Sequence, residues 1–503
     1  MRETVIDAHD DEEEGDEEEG DEDEEDDEDD HDEEDEDDDV PEPPFHTAFP
    51  TVPSKTLHIA PMLNVSNREF RQLFRIMSRK CVLWTEMVVD ETIAYSDHLE
   101  MWLGKDSNTH PIVCQIGGNN PDFCGSATQI VEQQYNYDEV NLNIDCPSDR
   151  VSGKREFGAV LMKRVETTLS VLQAMKRHTT RIPISVKCRV GIDEYDDLDH
   201  VANFIRQLSP VCHRFYIHAR KCVLGGLTPT QNRIVPPLNY PRVYTLCHLF
   251  PDCDFWINGG IPGLKAAKEI AYGTQMCGTI ASGDDPVGDH GVPCSLCQAS
   301  NGSCTAPPTV APPNLRGCMI GRAAMDNPSM FWDVDRYFYG EDSNPCQNRR
   351  QVLVQYCEYL ERIYPRRCCD DDERCTTRIP VPDFVVTTER QFCDICREMY
   401  GGIENETASS VIVQQHKTKI SSRIVDRALK PIHGIFFGLQ KNRSFRRACD
   451  ELSRDTSIRN CGPGFILRKA METMPAMILD QHFVKTEDLS DSDFQVHNAP
   501  RHN

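Results

Sequence analysis

The sequence predicts a (β/α)8 TIM barrel, an α/β fold, followed by a smaller α-helical domain. From Leu57 onward, short β-branched segments alternate with amphipathic segments, which is the pattern of repeated βα units around a parallel sheet. Eight such units fit within about 280 residues, the usual size of this barrel. The alternative is a doubly wound sheet. No Gly-x-Gly-x-x-Gly follows an early strand, so the dinucleotide-binding form of that sheet is disfavoured.

The elements follow from the same pattern. The expected strands are 57–62, 81–87, 112–117, 139–144, 184–190, 214–218, 254–258 and 318–321. Amphipathic segments at 67–78, 167–178 and 198–208 predict helices between them. About 45 residues rich in Gly, Pro and Ser separate Tyr272 from Cys318, where a few would suffice; this indicates an insertion before the last strand. It is either a surface elaboration or an unspliced segment.

Beyond Gly340 the strand pattern stops, and helices are expected at 345–364 and 417–454. The predicted organisation is an acidic tail and Pro-rich linker at 1–54, a barrel at 55–341 with an insertion at about 273–316, a helical domain at 342–480 with an irregular insertion at about 366–412, and a tail at 481–503.

The acidic charge is concentrated in the N-terminal tail. Residues 1–40 hold 29 Asp or Glu against one Arg, which accounts for nearly all of the net charge of −30. Such a segment cannot bury enough apolar surface to fold, so it is expected to be disordered. It either solubilises the protein or acts as an electrostatic regulator that binds basic partners.

Targeting signals and cysteines bear on location. There is no apolar run of 18 residues and no apolar N-terminal stretch, so neither a transmembrane helix nor a signal peptide is expected. The 23 cysteines are therefore interpreted as reduced thiols. We expect a cytoplasmic monomer, with the nucleus as an alternative location.

Two cysteine-rich stretches resemble zinc sites only in part. The first contains His290, Cys294, Cys297 and Cys304, and the second contains Cys368, Cys369, Cys375, Cys393 and Cys396. Structural zinc sites normally use paired ligands. Because each stretch has a single Cys-x-x-Cys pair, no metal is predicted and flexible loops are favoured over zinc.

Residues 417–470 are strongly basic. They contain 13 Lys or Arg against four Asp or Glu, interleaved with Phe436, Phe437 and Phe445. A helical face of this charge suits a phosphate backbone, and a merely solvated face is the alternative.

The carboxyl ends of barrel strands converge on one site. In order, the predicted ends offer Pro61, Met62, Leu63, Glu86, Gln115, Asn143, Cys146, Lys187, Arg189, His218, Asn258, Gly259, Gly260, Gly321 and Arg322. Individually, such residues are often ordinary buried hydrogen-bonding groups or ion-pair partners. Together they predict a site. The glycine-rich ends of the last two strands, with Arg322, suit the phosphate of flavin mononucleotide (FMN). Lys187 would stabilise an electron-rich reduced flavin, and the thiol of Cys146 is a candidate acid.

Several motifs resemble those of the tRNA-dihydrouridine synthases, most closely the bacterial A-type class. They are HIAPML at 58–63, EVNLNIDCPSDRV at 139–151, FGAVLM at 157–162, VKCRVG at 186–191, IHARK at 217–221, PPLNYP at 236–241, INGGI at 257–261 and MIGR at 319–322. The match runs from about 55 to 341 and resumes weakly at 427–452, which is similar to the C-terminal helical domain of the family.

The resemblance implies an FMN enzyme that reduces the C5–C6 double bond of a D-loop uridine in tRNA, with NADPH as the reductant. By analogy, the uridine is at position 20/20a. Cys146 would be the proton donor. Residues implied to hold the flavin are Pro61, Met62, Leu63, Gln115, Lys187, His218, Asn258, Gly259, Gly260, Gly321 and Arg322. Residues implied to contact the uracil are Asn143, Lys187, Arg189 and His218.

The chain departs from the family at two positions within these motifs. Asp145 stands where the family usually has glycine, and a carboxylate there is expected to raise the pKa of Cys146 or to repel RNA phosphate if it faces the pocket. Cys188 stands where threonine is common, and its side chain should point away from the pocket. Two rival functions remain: a flavin barrel reductase acting on a small molecule, and a non-catalytic tRNA-binding homologue.

Overall fold

The computed structural model describes residues 55–153, 155–273, 311–365 and 420–489. Its core is an eight-stranded parallel sheet with the strand order β1-β8-β7-β6-β5-β4-β3-β2. Backbone hydrogen bonds between Val82, just before β2, and both Leu57 and Ile59 join the two ends of the sheet. The predicted (β/α)8 barrel followed by helices is therefore confirmed.

The strands are β1 (Thr56–Ile59), β2 (Leu83–Val89), β3 (Ile112–Gly117), β4 (Glu139–Asn143), β5 (Ile184–Arg189), β6 (Arg214–His218), β7 (Asp254–Asn258) and β8 (Leu315–Ile320). The helices of the barrel region are α1 (Arg68–Met77), α2 (Asp90–Tyr95), α3 (Leu99–Leu103), α4 (Pro121–Gln133), α5 (Val165–Arg177), α6 (Leu198–Leu208), α7 (Tyr240–Leu249), α8 (Leu264–Tyr272) and α9 (Arg322–Asp326). The helices that follow are α10 (Arg349–Ile363), α11 (Ser422–Leu429), α12 (Asn442–Arg454), α13 (Thr456–Asn460), α14 (Pro463–Glu472) and α15 (Ala476–Asp480).

Most element boundaries lie close to those expected, but β1 ends at Ile59 rather than at 62 and α10 begins at Arg349 rather than at 345. The last strand begins at Leu315 rather than Cys318. The helix expected over 417–454 is divided into α11 and α12 by a 3₁₀ turn at Lys430–Gly434. Pro431 lies in this turn, and a proline ring disfavours continuation of an α-helix because it lacks the amide hydrogen.

Side-chain caps fix where several helices begin. The Asn67 side chain accepts from the Phe70 amide at the start of α1, and Asp197 accepts from the His200 amide at the start of α6. Asn120 caps α4 with Pro121 at its first position. These residues satisfy amides that have no partner within the helix.

Inward-facing side chains fill the interior of the barrel. Trp84, Tyr216 and Trp256 pack there with Val113 and Met319 in a buried cluster separate from the main core. The two indole nitrogens do not remain unsatisfied: Trp84 donates to His58 at 3.0 Å, and Trp256 donates to Thr56 at 2.7 Å. Because the interior is filled, a ligand is expected above it, at the carboxyl ends of the strands.

The C-terminal helices pack on the barrel next to α1. The Lys430 ammonium donates to the Asn64 carbonyl in the loop after β1 at 2.7 Å. Within the helical part, Arg349 of α10 donates to the Ile435 carbonyl at 2.9 Å. A Cβ on Gly434 would lie 2.4 Å from the Asp326 carbonyl oxygen, so the backbones approach too closely there for any larger residue. The helical part therefore lies against the barrel near the loop that follows β1.

Some predictions fall outside the described residues. These are the acidic tail, most of the 273–316 insertion and both cysteine-rich stretches. Among the residues that the structure does describe, no helix is both long and apolar enough to cross a membrane.

Candidate active site

Five predicted site residues lie on neighbouring strands at the carboxyl end of the barrel. In the sheet register, Asn143 is opposite Lys187, Arg189 is opposite His218, and His218 is opposite Asn258. All five are buried. Because side chains alternate along a strand, these positions share the inward face with Gln115. Cys188, between Lys187 and Arg189, belongs to the outer core, as expected.

A network of amides organises the floor of this site. Gln115 donates to Asn141 at 2.8 Å, and Asn143 donates to Gln115 at 2.8 Å. Asn141 donates in turn to the Ser185 hydroxyl at 2.8 Å. These hydrogen bonds fix the orientations of the three side-chain amides. As a result, the side-chain oxygen of Asn143 faces the turn that follows β4.

That turn positions Cys146. The Asn143 side-chain oxygen accepts from the Cys146 amide at 3.0 Å and from the Asp145 amide at 3.2 Å. On the other side, the Cys146 carbonyl accepts from the Ser152 hydroxyl at 2.7 Å and from the Ala159 amide at 3.0 Å. Within the described ranges, every other free cysteine except Cys461 is buried, whereas Cys146 is partly exposed. The thiol therefore sits on a rigid turn with access to solvent.

The Asp145 side chain points into the barrel mouth. Its Oδ1 lies 2.6 Å from Arg189 Nε and 3.3 Å from His218 Nδ1. Its Oδ2 accepts from the Lys187 ammonium. The residue that sequence comparison marked as a departure therefore contacts three of the predicted ligand-binding side chains.

These contacts set the charges of the site. Burial opposes ionisation of Asp145, but the charges of Lys187 and Arg189 outweigh it and hold its pKa well below the usual range. Burial, helped by Arg189, lowers the pKa of His218 to about 3, although Asp145 opposes this shift. The imidazole is therefore neutral at pH 7.

The Cys146 thiol is a protonated group at neutral pH. Burial raises its pKa, and the Asp145 carboxylate raises it further, while the Ser148 amide, Arg189 and Lys187 act in the opposite direction. The direction anticipated from the sequence for Asp145 agrees with this environment. A thiol held in this form can donate a proton and is a poor spontaneous nucleophile.

The glycine-rich ends of the last strands lie beside these groups. Gly259 and Gly260 have φ values of 107° and 68°. A Cβ on Gly259 would lie 2.5 Å from the His218 ring, and one on Gly260 would lie 2.4 Å from Leu238. Both the backbone conformation and the close packing therefore require glycine at these positions.

Two arginines that sequence reasoning missed face the same region. Arg322 donates to the Arg233 carbonyl at 3.2 Å, and Arg220 donates to the Pro236 carbonyl. Burial lowers the pKa of Arg220 and Arg233, and the neighbouring positive charge of Arg322 contributes to both shifts. Their positions in the IHARK motif and in the loop before PPLNYP were the only available signal.

The loop after β1 supplies the remaining predicted residues. Pro61 and Met62 are half-buried, whereas Leu63 is 69% exposed. The Glu86 carboxylate accepts from the Asn64 amide, so it fixes this loop. The structure thus brings the strand-end residues to one mouth, with the Leu63 side chain in solvent at its rim.

Comparison with known proteins agrees with the motifs. Residues 58–283 match the model of the family described as dihydrouridine synthase (Dus). Three bacterial relatives are each named tRNA-dihydrouridine(20/20a) synthase. The protein of Vibrio vulnificus strain CMCP6 is 33% identical over 308 residues, covering 61% of this chain and 80% of the relative. That of Salmonella typhi is 34% identical over 313 residues, covering 62% and 80%. That of Escherichia coli K12 is 34% identical over 306 residues, covering 60% and 75%.

At this level of identity, over most of the length of the relatives, shared ancestry is established, and the resemblance seen in the motifs is confirmed. The chain belongs to the dihydrouridine synthase family.

Proposed function

We propose that this protein is a tRNA-dihydrouridine synthase that binds FMN, uses NADPH as its reductant and reduces the C5–C6 double bond of a D-loop uridine. The observation that carries the proposal is the partly exposed thiol of Cys146, held on a rigid turn above the buried polar strand ends. The names of the relatives support tRNA as the substrate and position 20/20a as the target.

The residues at the barrel mouth fit FMN. The Nε atoms of Arg220 and Arg233 are buried without a hydrogen-bond partner, and the two guanidinium groups lie near that of Arg322. Three neighbouring cations call for an anion, and a phosphate matches that need. We propose that Arg322, Gly321, Gly259 and Gly260 hold the phosphate.

We propose that the remaining predicted flavin ligands line the space next to these cations. Gln115, Lys187, His218 and Asn258 present polar atoms from the strand ends, while Pro61, Met62 and Leu63 border them. When bound, FMN supplies hydride to C6 of the uracil, and NADPH restores the reduced cofactor. Lys187 places a positive charge where the reduced form gains electron density.

Cys146 completes the reduction. Once C6 has gained hydride, C5 needs a proton, and Sγ of Cys146 is the donor. The raised pKa of this thiol keeps its proton in place until the substrate becomes basic. Asn143 and Arg189 flank the same turn and orient the base; Arg189 is held by the Asn232 carbonyl at 2.9 Å.

The C-terminal helices supply a surface for RNA. Arg443, Arg446, Arg447 and Arg454 on α12 are exposed, while Phe445 on the same helix is buried. A uridine within the tRNA fold must leave its stack to reach a barrel interior. We propose that residues 342–480 form the tRNA-binding domain and that the arginines of α12 contact the phosphates.

The test is to purify the full chain and examine tRNA nucleosides by mass spectrometry. We expect yellow protein that, with NADPH, converts one D-loop uridine of unmodified tRNA into dihydrouridine. Cys146→Ala should retain the flavin and lose product formation by at least about 100-fold, the usual contribution of a positioned acid. Cys461→Ala removes the other partly exposed thiol of the described residues and should remain active.

Two results would replace the proposal. Reduction of free uridine or an enone at rates matching tRNA would indicate a small-molecule reductase. Colourless protein that binds tRNA with a steep salt dependence would indicate a non-catalytic RNA-binding homologue.

A further inference from the structure

Lys187, Arg189 and His218 form what we call the cationic edge of the barrel mouth. Asp145 lies among these three side chains. Both of its oxygens are used: Oδ1 accepts from Arg189 at 2.6 Å and faces His218 at 3.3 Å, and Oδ2 accepts from Lys187. The four side chains are nearly enclosed, with exposed fractions of 15% for Asp145, 4% for Lys187, 2% for Arg189 and 8% for His218. In so dry a setting these charges are weakly screened by solvent.

The carboxylate halves the positive charge of this edge. Lys187 and Arg189 contribute two positive charges and the neutral His218 contributes none, so the ionised Asp145 leaves a net charge of one. The pair with Arg189 also has a structural function, but Arg189 keeps two further partners, the carbonyls of Lys221 and Asn232. Among the described residues, the Lys187 ammonium donates only to Asp145. Asp145 therefore controls whether the Lys187 ammonium is available to a bound ligand.

We propose that Asp145 is a positioning residue that tunes the bound flavin: its carboxylate competes for the Lys187 ammonium and so weakens the preference of this pocket for the reduced, anionic cofactor. This inference rests on the proposed function, since it needs the flavin beside Lys187. Charge near the ring system is a main means by which a protein adjusts flavin electronics. Oxidised flavin is neutral on its ring and gains little when the carboxylate is removed, whereas the reduced anion gains a full favourable partner.

The measurement is the two-electron midpoint potential of FMN bound to the full chain, with the dissociation constant of oxidised FMN measured alongside. In Asp145→Asn, which keeps the shape and removes the charge, we expect the reduced flavin to bind at least about tenfold more tightly relative to the oxidised form. By the linkage between binding and redox equilibria, this raises the potential by about 30 mV. Asp145→Ser should shift it in the same direction. Asp145→Glu keeps the charge and should stay near the wild-type value.

A matched control is Asp196→Asn. Asp196 pairs with Lys221 at 2.9 Å and with Arg242 at 3.0 Å, so the variant removes a carboxylate from an ion-pair network that does not include Lys187. Its potential should not change. A purely structural function for Asp145 would lower folding stability in all three Asp145 variants and leave the potential of the folded, flavin-bound protein unchanged.

An unchanged or lower potential in both Asp145→Asn and Asp145→Ser overturns the inference, as does loss of FMN binding in both folded variants. A shift in Asp145→Glu equal to that in Asp145→Asn also overturns it. Failure of the proposed function is a different result: wild-type protein that binds no FMN or forms no dihydrouridine. Wild-type protein that does both, with flavin potentials insensitive to residue 145, leaves the proposed function intact and removes only this inference.

Discussion

The Arg427 guanidinium lies 2.9 Å from the carboxylate of Glu69, which joins α11 of the helical part to α1 of the barrel. Glu69 is only 2% exposed, and the Tyr364 hydroxyl donates to its other oxygen. One buried carboxylate therefore links three segments that are far apart in the sequence. Its two partners come from opposite sides of the stretch between 365 and 420.

Removing the arginine should loosen this junction. We expect Arg427→Met to lower the free energy of unfolding by about 1–3 kcal/mol, because it leaves a buried acceptor without its charged partner. Arg427 is itself partly exposed, with 41% of its side chain accessible, so solvent screening favours the lower part of that range. Chemical denaturation monitored by circular dichroism measures the difference.

Arg447→Met is the matched control for that substitution. Arg447 pairs with Glu451 on one exposed helix face at 2.6 Å, and such pairs contribute little because solvent screens them, so we expect almost no change in the free energy of unfolding. The double variant Glu69→Gln/Arg427→Met should recover part of the loss, since it no longer buries a lone charge. Equal stabilities for Arg427→Met and Arg447→Met would show that the junction does not depend on this pair.

The reactivity of Cys146 offers a test that requires neither flavin nor RNA. Burial and the Asp145 carboxylate both raise the pKa of its thiol. We therefore expect alkylation of Cys146 by iodoacetamide to accelerate only at a pH above the ordinary thiol value of about 8.5. In Asp145→Asn the midpoint should move to lower pH. Peptide mass spectrometry follows Cys146, with the other partly exposed thiol, Cys461, as an internal reference. Rapid alkylation of Cys146 at pH 7 would contradict the proposed state of the thiol.

The barrel and its site were predictable from the sequence because both depend on local periodicity and one geometric rule. Strand spacing predicts the barrel, and the carboxyl ends of parallel strands converge. That is why Asn143, Lys187 and His218 were expected together and lie together. Expectation and structure agree at residues that belong to the strands themselves.

The contacts of Asp145 were not predictable, because they depend on the turn that follows β4. The orientation of that turn is fixed by Asn143, Ser152 and Ala159, which no periodicity relates. Arg220 and Arg233 were missed for the same reason, since a long loop after β6 carries them to the mouth. The Glu69–Arg427 pair spans 358 residues and has no local signal at all.

Two aromatic residues of the basic segment belong to the core of the helical part. In the sequence, Phe436 and Phe445 lie among basic residues that predict a face suited to a phosphate backbone. In the structure both are fully buried, and their rings pack with centroids 4.8 Å apart. They form the core beneath the basic face and offer no surface for base stacking.

Acid should destabilise the protein in a defined pH range. Because burial and Arg189 lower the pKa of His218 to about 3, the folded protein keeps this group neutral where the unfolded chain, with a pKa near 6.5, takes up a proton. The contribution of His218 to the free energy of unfolding is fully present above about pH 6.5 and is lost as the pH decreases towards 3. At pH 5 the loss from His218 is about 2 kcal/mol. Between pH 7 and pH 5 Asp145 is ionised in both states and adds almost no slope. Below about pH 5 the unfolded chain, with a carboxyl pKa near 3.9, takes up a proton that the folded Asp145 does not, so this residue then adds to the loss of stability.

The corresponding experiment compares urea denaturation at pH 7 and pH 5. The difference in unfolding free energy should shrink by about 2 kcal/mol in His218→Gln relative to the wild type. His58 is also buried with a pKa well below its usual value, so some acid sensitivity should persist. His248→Gln, at an exposed position, is the control and should leave the difference unchanged. A wild-type difference that His218→Gln does not reduce would show that this imidazole is protonated in the folded state.

The exposed arginines of α12 should determine how RNA binding responds to salt. Each phosphate contact made by a cation releases counterions, so the logarithm of the binding constant falls with the logarithm of salt concentration by about 0.7–0.9 per contact. For Arg443→Gln/Arg446→Gln we expect weaker tRNA binding and a salt slope reduced by up to about 1.8. Neither residue lies at the barrel mouth, so FMN binding should not change. Fluorescence anisotropy between 50 and 200 mM salt, the range over which such contacts are usually resolved, gives the slope.

The control for this variant places the same charge loss elsewhere. Lys176 and Arg177 are exposed at the end of α5 on the barrel; Lys176→Gln/Arg177→Gln also removes two cations and changes the net charge equally. If the whole charge of the protein governed binding, both variants would lose the same slope. If α12 contacts the phosphates directly, the slope falls in the α12 variant and not in the α5 variant. Equal slopes in the wild type and the α12 variant would assign tRNA binding to another surface.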